Sequence, residues 1–342
     1  MIDRAWEVAV VGATGVVGRE LVGALALSGH PSARVRLLAS ERSAGEELPF
    51  AEESLEVEAA GAEAFRGAQL VFLATPADVS RTLSAAAQAA GALVIDTSRA
   101  FVSDLQTPVV FPGVPGGGLG RVPGARRFRV PGPVTQVLLS CLEPLRLAVG
   151  LREVHCAALL SASGAGRQGV TELEQQTAAL LSARELEATH FPHRLAFNLV
   201  PQVGPFSEGS GATLEELAWR AEAGLLWGRA APPIDGTAVW VPAFYGILVV
   251  LQVRLGRAAT PAEVRSLLGQ SPRLKVLDAP GERVYPMPML VTADPAVHVG
   301  RIRSFAGNPE VVELVAAIDN AGATARLALE VAQLVAKESL TN

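Results

Sequence analysis

Residues 8–18 read VAVVGATGVVG: four apolar residues, three of them valine, run straight into a stretch with glycine at Gly12, Gly15 and Gly18. From residue 16 the apolar spacing changes to the helical period and holds to residue 28. A short buried strand, a glycine turn and an amphipathic helix open a βαβ unit, and RVRLLAS (residues 34–40) supplies its second strand. Farther on, QLVFLAT (69–75) and ALVIDTS (92–98) are two more apolar runs, with the Ala-rich helical segment 79–90 between them. Apolar strands alternating with helices predict a parallel sheet with crossover helices.

Residues 111–133 are dense in glycine and proline and lack any regular period, so the passage out of the first domain belongs there. Beyond it the pattern changes. Residues 134–147 have helical spacing, VHCAALLSASGAG (154–166) reads as a strand entering a glycine turn, and a helix is expected over 170–181. Residues 238–255 supply apolar strands broken at Pro242 and Gly246, and HVGRIRSF (298–305) supplies another. This half reads as α+β with antiparallel strands. Asn308 before Pro309 is a helix-start signal, and the tail from there through residue 337 is expected to be helical and to pack back on the first domain. The resulting expectation is an α/β chain: a parallel-sheet domain of residues 1–132 with 308–342, and a second domain of residues 133–307.

Composition limits the function. Of 342 residues 49% are hydrophobic and 18% charged, which excludes a disordered or fibrous chain. The net charge is −5, and the nearest thing to a basic cluster, Arg126, Arg127 and Arg129, reads as a solvated loop run, so nucleic acid is not an expected partner. Asp3, Arg4 and Glu7 stand where a secretory leader needs a basic end and an apolar run, which makes the chain an expected cytoplasmic protein. The longest uncharged stretch, 236–253, is interrupted by Pro242 and Gly246 and reads as buried strands, not a membrane span. Two cysteines, Cys141 and Cys156, are too few for a disulfide framework or a thiolate metal cage. His190 and His193 flank Pro192 with no further ligand nearby, so no metal site is expected.

Closely spaced glycines between a strand and a helix let backbone N–H groups approach a pyrophosphate, and Gly12, Thr14, Gly15, Val16, Val17 and Gly18 are the candidate contacts. The three-and-three spacing departs from GxGxxG, and the same glycines would also serve a tight turn on steric grounds alone. At the end of the second strand LASERSAG (38–45) offers Ser40, Arg42 and Ser43, a guanidinium and hydroxyls suited to the 2′-phosphate of NADP; Glu41 leaves NAD open.

GATGVVG (12–18), LASERSAG (38–45), VIDTSRAF (94–101), SGAGRQG (163–169) and AFNLVPQV (196–203) stand in this order along one chain, which thereby resembles the aspartate-semialdehyde dehydrogenase family over nearly its whole length. The resemblance implies an N-terminal Rossmann domain, a C-terminal domain for dimerisation and catalysis, and a homodimer. It adds Thr75, Ser163 and Gly164 to the expected cofactor contacts. In that family NADPH reduces aspartyl phosphate through a cysteine thioester, with a histidine as acid and base. The chemistry needs a thiolate to capture the acyl phosphate before hydride reaches the carbonyl carbon.

The chain departs from the pattern where that chemistry is done. The family's Pro-Asn-Cys-Ser/Thr-Thr run followed by Gln matches PGPVTQ (131–136), so Pro133 holds the nucleophile's position. The family's Arg-Val-Pro-x-x-x-Gly-His matches WVPAFYGI (240–247), which puts Trp240 in place of the substrate-binding arginine and Ile247 in place of the histidine. Val102 replaces the arginine for the substrate phosphate, Leu160 a glutamine and Ala218 a lysine, while Glu216 keeps a glutamate. An isoleucine moves no proton and an indole clamps no carboxylate. The residues therefore point to a paralogue of Usg type that keeps the fold, the dimer and NADP(H) but lacks catalytic residues. Two alternatives stay open: a reductase of altered chemistry using Tyr245 or a water, although an aromatic in AFYGI suits core packing, and a scaffold whose cofactor loop is vestigial. Cys141, two turns into its helix, and Cys156, within a strand, read as buried structural thiols.

Overall fold

The computed structural model describes residues 6–184, 186–292, 294–305 and 307–341. The chain divides into two compact units, Met1–Gly132 with Thr324–Asn342, and Pro133–Ala323.

The first unit contains β1 (Val8–Val11), α1 (Val16–Leu27), β2 (Val35–Ala39), β3 (Glu47–Phe50), β4 (Glu53–Ala59), β5 (Leu70–Leu73), α2 (Ala77–Ala89), β6 (Leu93–Asp96) and β7 (Arg127–Arg129). They form one seven-stranded sheet in the order β3-β4-β2-β1-β5-β6-β7, parallel throughout except for the β3–β4 hairpin. Every residue of β1, β5 and β6 is buried, the condition that made these strands continuous apolar runs in the sequence. One side of the sheet packs Ala9, Val11, Leu38, Val71, Leu73 and Val94 with Phe65 and Ala87. β1 pairs with β2 on one side and β5 on the other. The strand order therefore reverses at β1, and ligands of open α/β sheets bind at the carboxyl ends of the strands at such a point.

The arginine run expected to be a solvated loop is instead β7. Phe128 is buried, Arg129 is only 1% exposed, and residues 127–129 add in parallel to β6 with Arg129 opposite Asp96. Arg127 is held by Asp104 (2.6 Å) and Thr107 (2.7 Å), and its guanidinium lies 3.9 Å from the centre of the Phe101 ring. Protein groups thus hold Arg127 in place, and Arg126 alone of the three stays exposed.

The second unit contains α3 (Pro133–Ala148), β8 (Leu151–Leu160), α4 (Gly166–Leu181), α5 (Leu214–Trp227), β9 (Ile234–Trp240), β10 (Ile247–Leu255), α6 (Pro261–Gly269), β11 (Leu274–Val276), β12 (Val297–Phe305) and β13 (Asn308–Ile318). Its six-stranded sheet has the order β11-β12-β13-β10-β8-β9. β10 is antiparallel to both β8 and β13, whereas β8–β9 and β11–β12 are parallel.

The helix expected from Asn308 does not exist. NPEVVELVAAI is β13, eleven residues that pair with β10 along almost their whole length. The Asn-Pro signal is local, whereas alternating burial of Val312, Leu314 and Ala316 between two partner strands is cooperative and prevails. The helix begins twelve residues later, as α7 (Asn320–Thr341), where Asp319 Oδ1 accepts from Gly322 N (3.1 Å). Residues 308–323 accordingly belong to the second unit. The uncharged stretch 236–253 forms β9 and β10 with the turn between them, and among the described residues no helix is long and apolar enough to cross a membrane.

Candidate functional site

The turn from β1 to α1 is tight because its glycines touch backbone. Gly12 has φ +82°, a left-handed conformation, and a β-carbon there would lie 2.4 Å from the carbonyl oxygen of Ala74; one on Gly18 would lie 1.9 Å from the carbonyl oxygen of Gly12. Gly12 N donates to Leu38 O (2.7 Å) and Gly15 N to Gly12 O (2.9 Å), so the loop is pinned to the carboxyl end of β2 and to itself. No side chain caps α1 and no acidic residue lies in its first turn. The N–H groups at Val16, Val17 and Gly18 lack partners within the helix, the arrangement that receives an anion in nucleotide-binding turns.

Around this loop Thr14 is buried, and its Oγ1 lies 3.4 Å from Ser43 Oγ. Ser43 is turned inward toward the glycine loop, while Ser40 and Arg42 stay exposed on the β2–β3 connection. Thr75, after β5, shares a hydrogen bond of 2.7 Å with Ser80 in the first turn of α2. Gly12, Thr14, Gly15, Val16, Val17, Gly18, Ser40, Arg42, Ser43 and Thr75 thus all lie in the first unit, at the carboxyl ends of β1, β2 and β5. Val102 lies in the same unit, on the loop after β6, and its carbonyl accepts from Arg129 Nη2 (3.3 Å).

Ser163 and Gly164 belong to the second unit, as do Pro133, Trp240 and Ile247. α3 opens on Pro133, where φ near −65° suits a first helical residue and no N–H is needed. Ile247 is 1% exposed and begins β10, paired with Leu160 on one side and Ile318 on the other. Trp240, 7% exposed, ends β9; its ring packs edge-on against Phe191, with centroids 5.3 Å apart at 73°. The indole also lies on Gly164, where a β-carbon would come within 3.0 Å of Cζ3, and Phe191 lies on Gly169. Ser163 Oγ donates to Asn320 Oδ1 (3.1 Å), which also accepts from Gly246 N (3.1 Å). Asn320 thereby ties the SGAG turn to the turn before β10. The sequence reading missed it because it placed the helix start at Asn308; Asp319-Asn320 before an Ala-rich run was the available signal.

Glu216 has a structural occupation. It closes a capping box with Thr213 at the start of α5, accepting from Thr213 N (2.7 Å), and its other oxygen accepts from Ala238 N on β9 (2.8 Å). Both cysteines are buried. Burial pushes the Cys141 thiol up to about 12; burial, with the Asp235 and Glu216 carboxylates, pushes Cys156 up to about 12 as well. Tyr245, expected to pack in the core, is 52% exposed beside exposed Phe244, because the turn carrying both faces outward. Among the described residues no three metal-ligating side chains cluster.

A parallel sheet whose switch point carries a glycine turn, joined to an α+β unit with a mostly antiparallel sheet, defines a two-domain dinucleotide-binding protein. The chain belongs to the semialdehyde dehydrogenase family: residues 7–117 match its NAD-binding domain and residues 142–321 its dimerisation domain. It is 33% identical over 310 residues to an aspartate-semialdehyde dehydrogenase of Bacillus subtilis, covering 88% of this chain and 89% of that one. It is 35% identical over 325 residues to a USG-1 protein homolog of Pseudomonas aeruginosa, covering 93% and 94%. Among solved structures, aspartate semialdehyde dehydrogenase II of Vibrio cholerae in complex with ASA superposes with a TM-score of 0.90 at 27% identity, over 97% of this chain and 98% of that one.

Proposed function

We propose that this chain is a homodimeric, NADP(H)-binding member of the family that has lost acyl-phosphate reduction through a cysteine thioester. The observation that carries the reading is Pro133 at the first turn of α3, with both cysteines elsewhere, buried and held as thiols. A thioester cannot form without an accessible thiolate. Ile247, sealed between two strands, offers no proton, and Trp240 fills its surroundings with an indole where a carboxylate clamp is needed. Nucleotide binding is supported by the uncapped α1 N-terminus over glycines that admit no β-carbon, and the preference for NADP by exposed Arg42 and Ser40. The degenerate positions Pro133, Ile247, Trp240 and Val102 are assigned no catalytic part.

Two measurements test this. Calorimetric titration is expected to give binding of NADPH, tighter than NADH, and binding of neither would make the cofactor loop vestigial. Assay with aspartate semialdehyde, phosphate and NADP is expected to give no turnover above background; turnover at a rate ordinary for enzymes would overturn the reading. The exposure of Tyr245 favours one second reading, a reductase in which its phenol polarises a carbonyl. NADPH oxidation across an aldehyde and ketone panel, lost in Tyr245→Phe, would support that alternative.

A further inference from the structure

α7 is buried almost all round. Between Thr324, where it enters the first unit, and Lys337, every residue is buried except Arg326, Glu330, Gln333, Leu334 and Lys337, whose spacing sets them on one stripe of the helix. Arg326 opens that stripe, but its guanidinium is turned out of the water. Nε and Nη2 are both buried and find no acceptor among the described residues. Glu330, one turn on, supplies none. Arg before Glu is the weaker order for an i,i+4 pair, and a helical side chain leans toward the N-terminus, away from the residues that follow it.

Nε and Nη2 form one edge of the guanidinium, the edge that grips an oxyanion through two parallel N–H bonds. The second unit shows twice how that edge is filled. Arg146 gives Nε and Nη2 to the two oxygens of Glu143 (2.8 and 2.8 Å), and Arg265 gives the same pair to Asp278 Oδ2 (3.0 and 2.5 Å). In the first unit the half-buried Arg36 and Arg127 also donate to protein oxygens: Arg36 to the carbonyls of Ala64 (2.6 Å) and Arg66 (2.7 Å), Arg127 to Asp104 and Thr107. At Arg326 the same edge is withdrawn from water with no such oxygen against it. Burial of an uncompensated charge is costly, and a guanidinium cannot shed its proton to avoid that cost.

We propose that the Nε–Nη2 edge of Arg326 is an oxyanion site, taking the carboxylate or phosphate group of a small ligand in two parallel hydrogen bonds. The residue as a whole is half-buried, which leaves a solute a way in. The inference draws nothing from the proposed function: neither the loss of thioester chemistry nor the binding of nucleotide enters it.

The test is urea unfolding of the full chain, without nucleotide, in phosphate, acetate or chloride at one ionic strength and pH 7. A ligand that binds only the folded state raises the folding equilibrium by the factor 1 + [L]/Kd. The wild type is expected to gain roughly tenfold in the anion that fits, about 1.4 kcal/mol. Arg326→Met fills the space without charge. It is expected to show only the general salt effect common to both proteins, and to be at least as stable as the wild type in chloride, because a buried charge has been removed. Phosphate against acetate separates a phosphate site from a carboxylate site. Equal gains in the wild type and the variant in both anions overturn the proposal. A gain with NADPH and none with either anion assigns the edge to the nucleotide and overturns it as well. Absence of NADPH binding, which counts against the proposed function, does not enter the comparison. If Arg326→Met does not fold, the Nε–H resonance of Arg326, assigned by its loss in Arg326→Lys, decides: a saturable shift on titration with phosphate or acetate supports the site, and no shift overturns it.

Discussion

The indole of Trp240 rests on the α-carbon of Gly164, so closely that a methyl group there would stand 3.0 Å from Cζ3 and 3.2 Å from Cη2. Gly164 has no left-handed backbone, so the demand for glycine at this position is steric and comes from the tryptophan. Gly164→Ala is expected to destabilise the fold by about 1–3 kcal/mol through overpacking. In a Trp240→Ala background, itself expected to cost about 3–5 kcal/mol, the same change should be nearly neutral. Urea unfolding of the four proteins measures the coupling, and additive costs would show that the two residues do not depend on each other.

Thiol chemistry gives a second expectation. With both thiols buried and pushed up to about 12, neither Cys141 nor Cys156 should react with an aromatic disulfide reagent at pH 8 in the native protein, and both should react in denaturant. One fast-reacting thiol in the native state would supply the nucleophile that the proposed function denies.

Acid sensitivity should be traceable to Asp294. Burial alone would raise its carboxyl, but the N–H of Ala296 and the side chains of His298 (2.7 Å) and Lys275 (3.3 Å) bring it from 3.8 to about 2. A carboxyl lowered by folding contributes stability that is complete above its unfolded value and is lost as pH falls through the folded one. The contribution should therefore disappear between about pH 4 and about pH 2. Thermal unfolding across that range should fall less steeply in Asp294→Asn than in the wild type.

Glu216 is expected to matter for stability and not for ligand affinity. Removing its carboxylate uncaps α5 and leaves Ala238 N without its partner, and Glu216→Ala should cost about 1–3 kcal/mol. Denaturation and NADPH titration of the variant check both halves. A substantial loss of affinity with stability unchanged would reassign the residue.

Reading by period worked where neighbours in sequence are also neighbours in space. β1, α1, β5, α2 and β6 follow from apolar runs and glycine breaks because each strand is buried on both faces and pairs with the next βα unit. It failed at 308–318, where the decisive partners are β10 and β12, invisible to a local Asn-Pro signal, and at 127–129, where pairing with β6 buries Arg129 and Asp104, Thr107 and Phe101 arrive from other segments to hold a half-buried Arg127. Tyr245 defeated it too, since an aromatic in an apolar string carries no mark of which way its turn faces. At the candidate site, the substitutions Pro133, Trp240 and Ile247 were legible as residue types. What fills their space was not: the Trp240–Phe191 pair and the Asn320 bridge join residues 49 and more positions apart, and the meeting of Arg99 with Gly132 needs a loop conformation that no spacing encodes.

The contact of Arg99 with Gly132 also bears on how much change position 132 tolerates. A β-carbon there would lie 2.9 Å from Nη1 of Arg99, the far end of a flexible side chain, so the guanidinium can swing aside while the backbone stays where it is. Glycine at 132 thus records where the arginine comes to rest and is not a hinge on which folding depends.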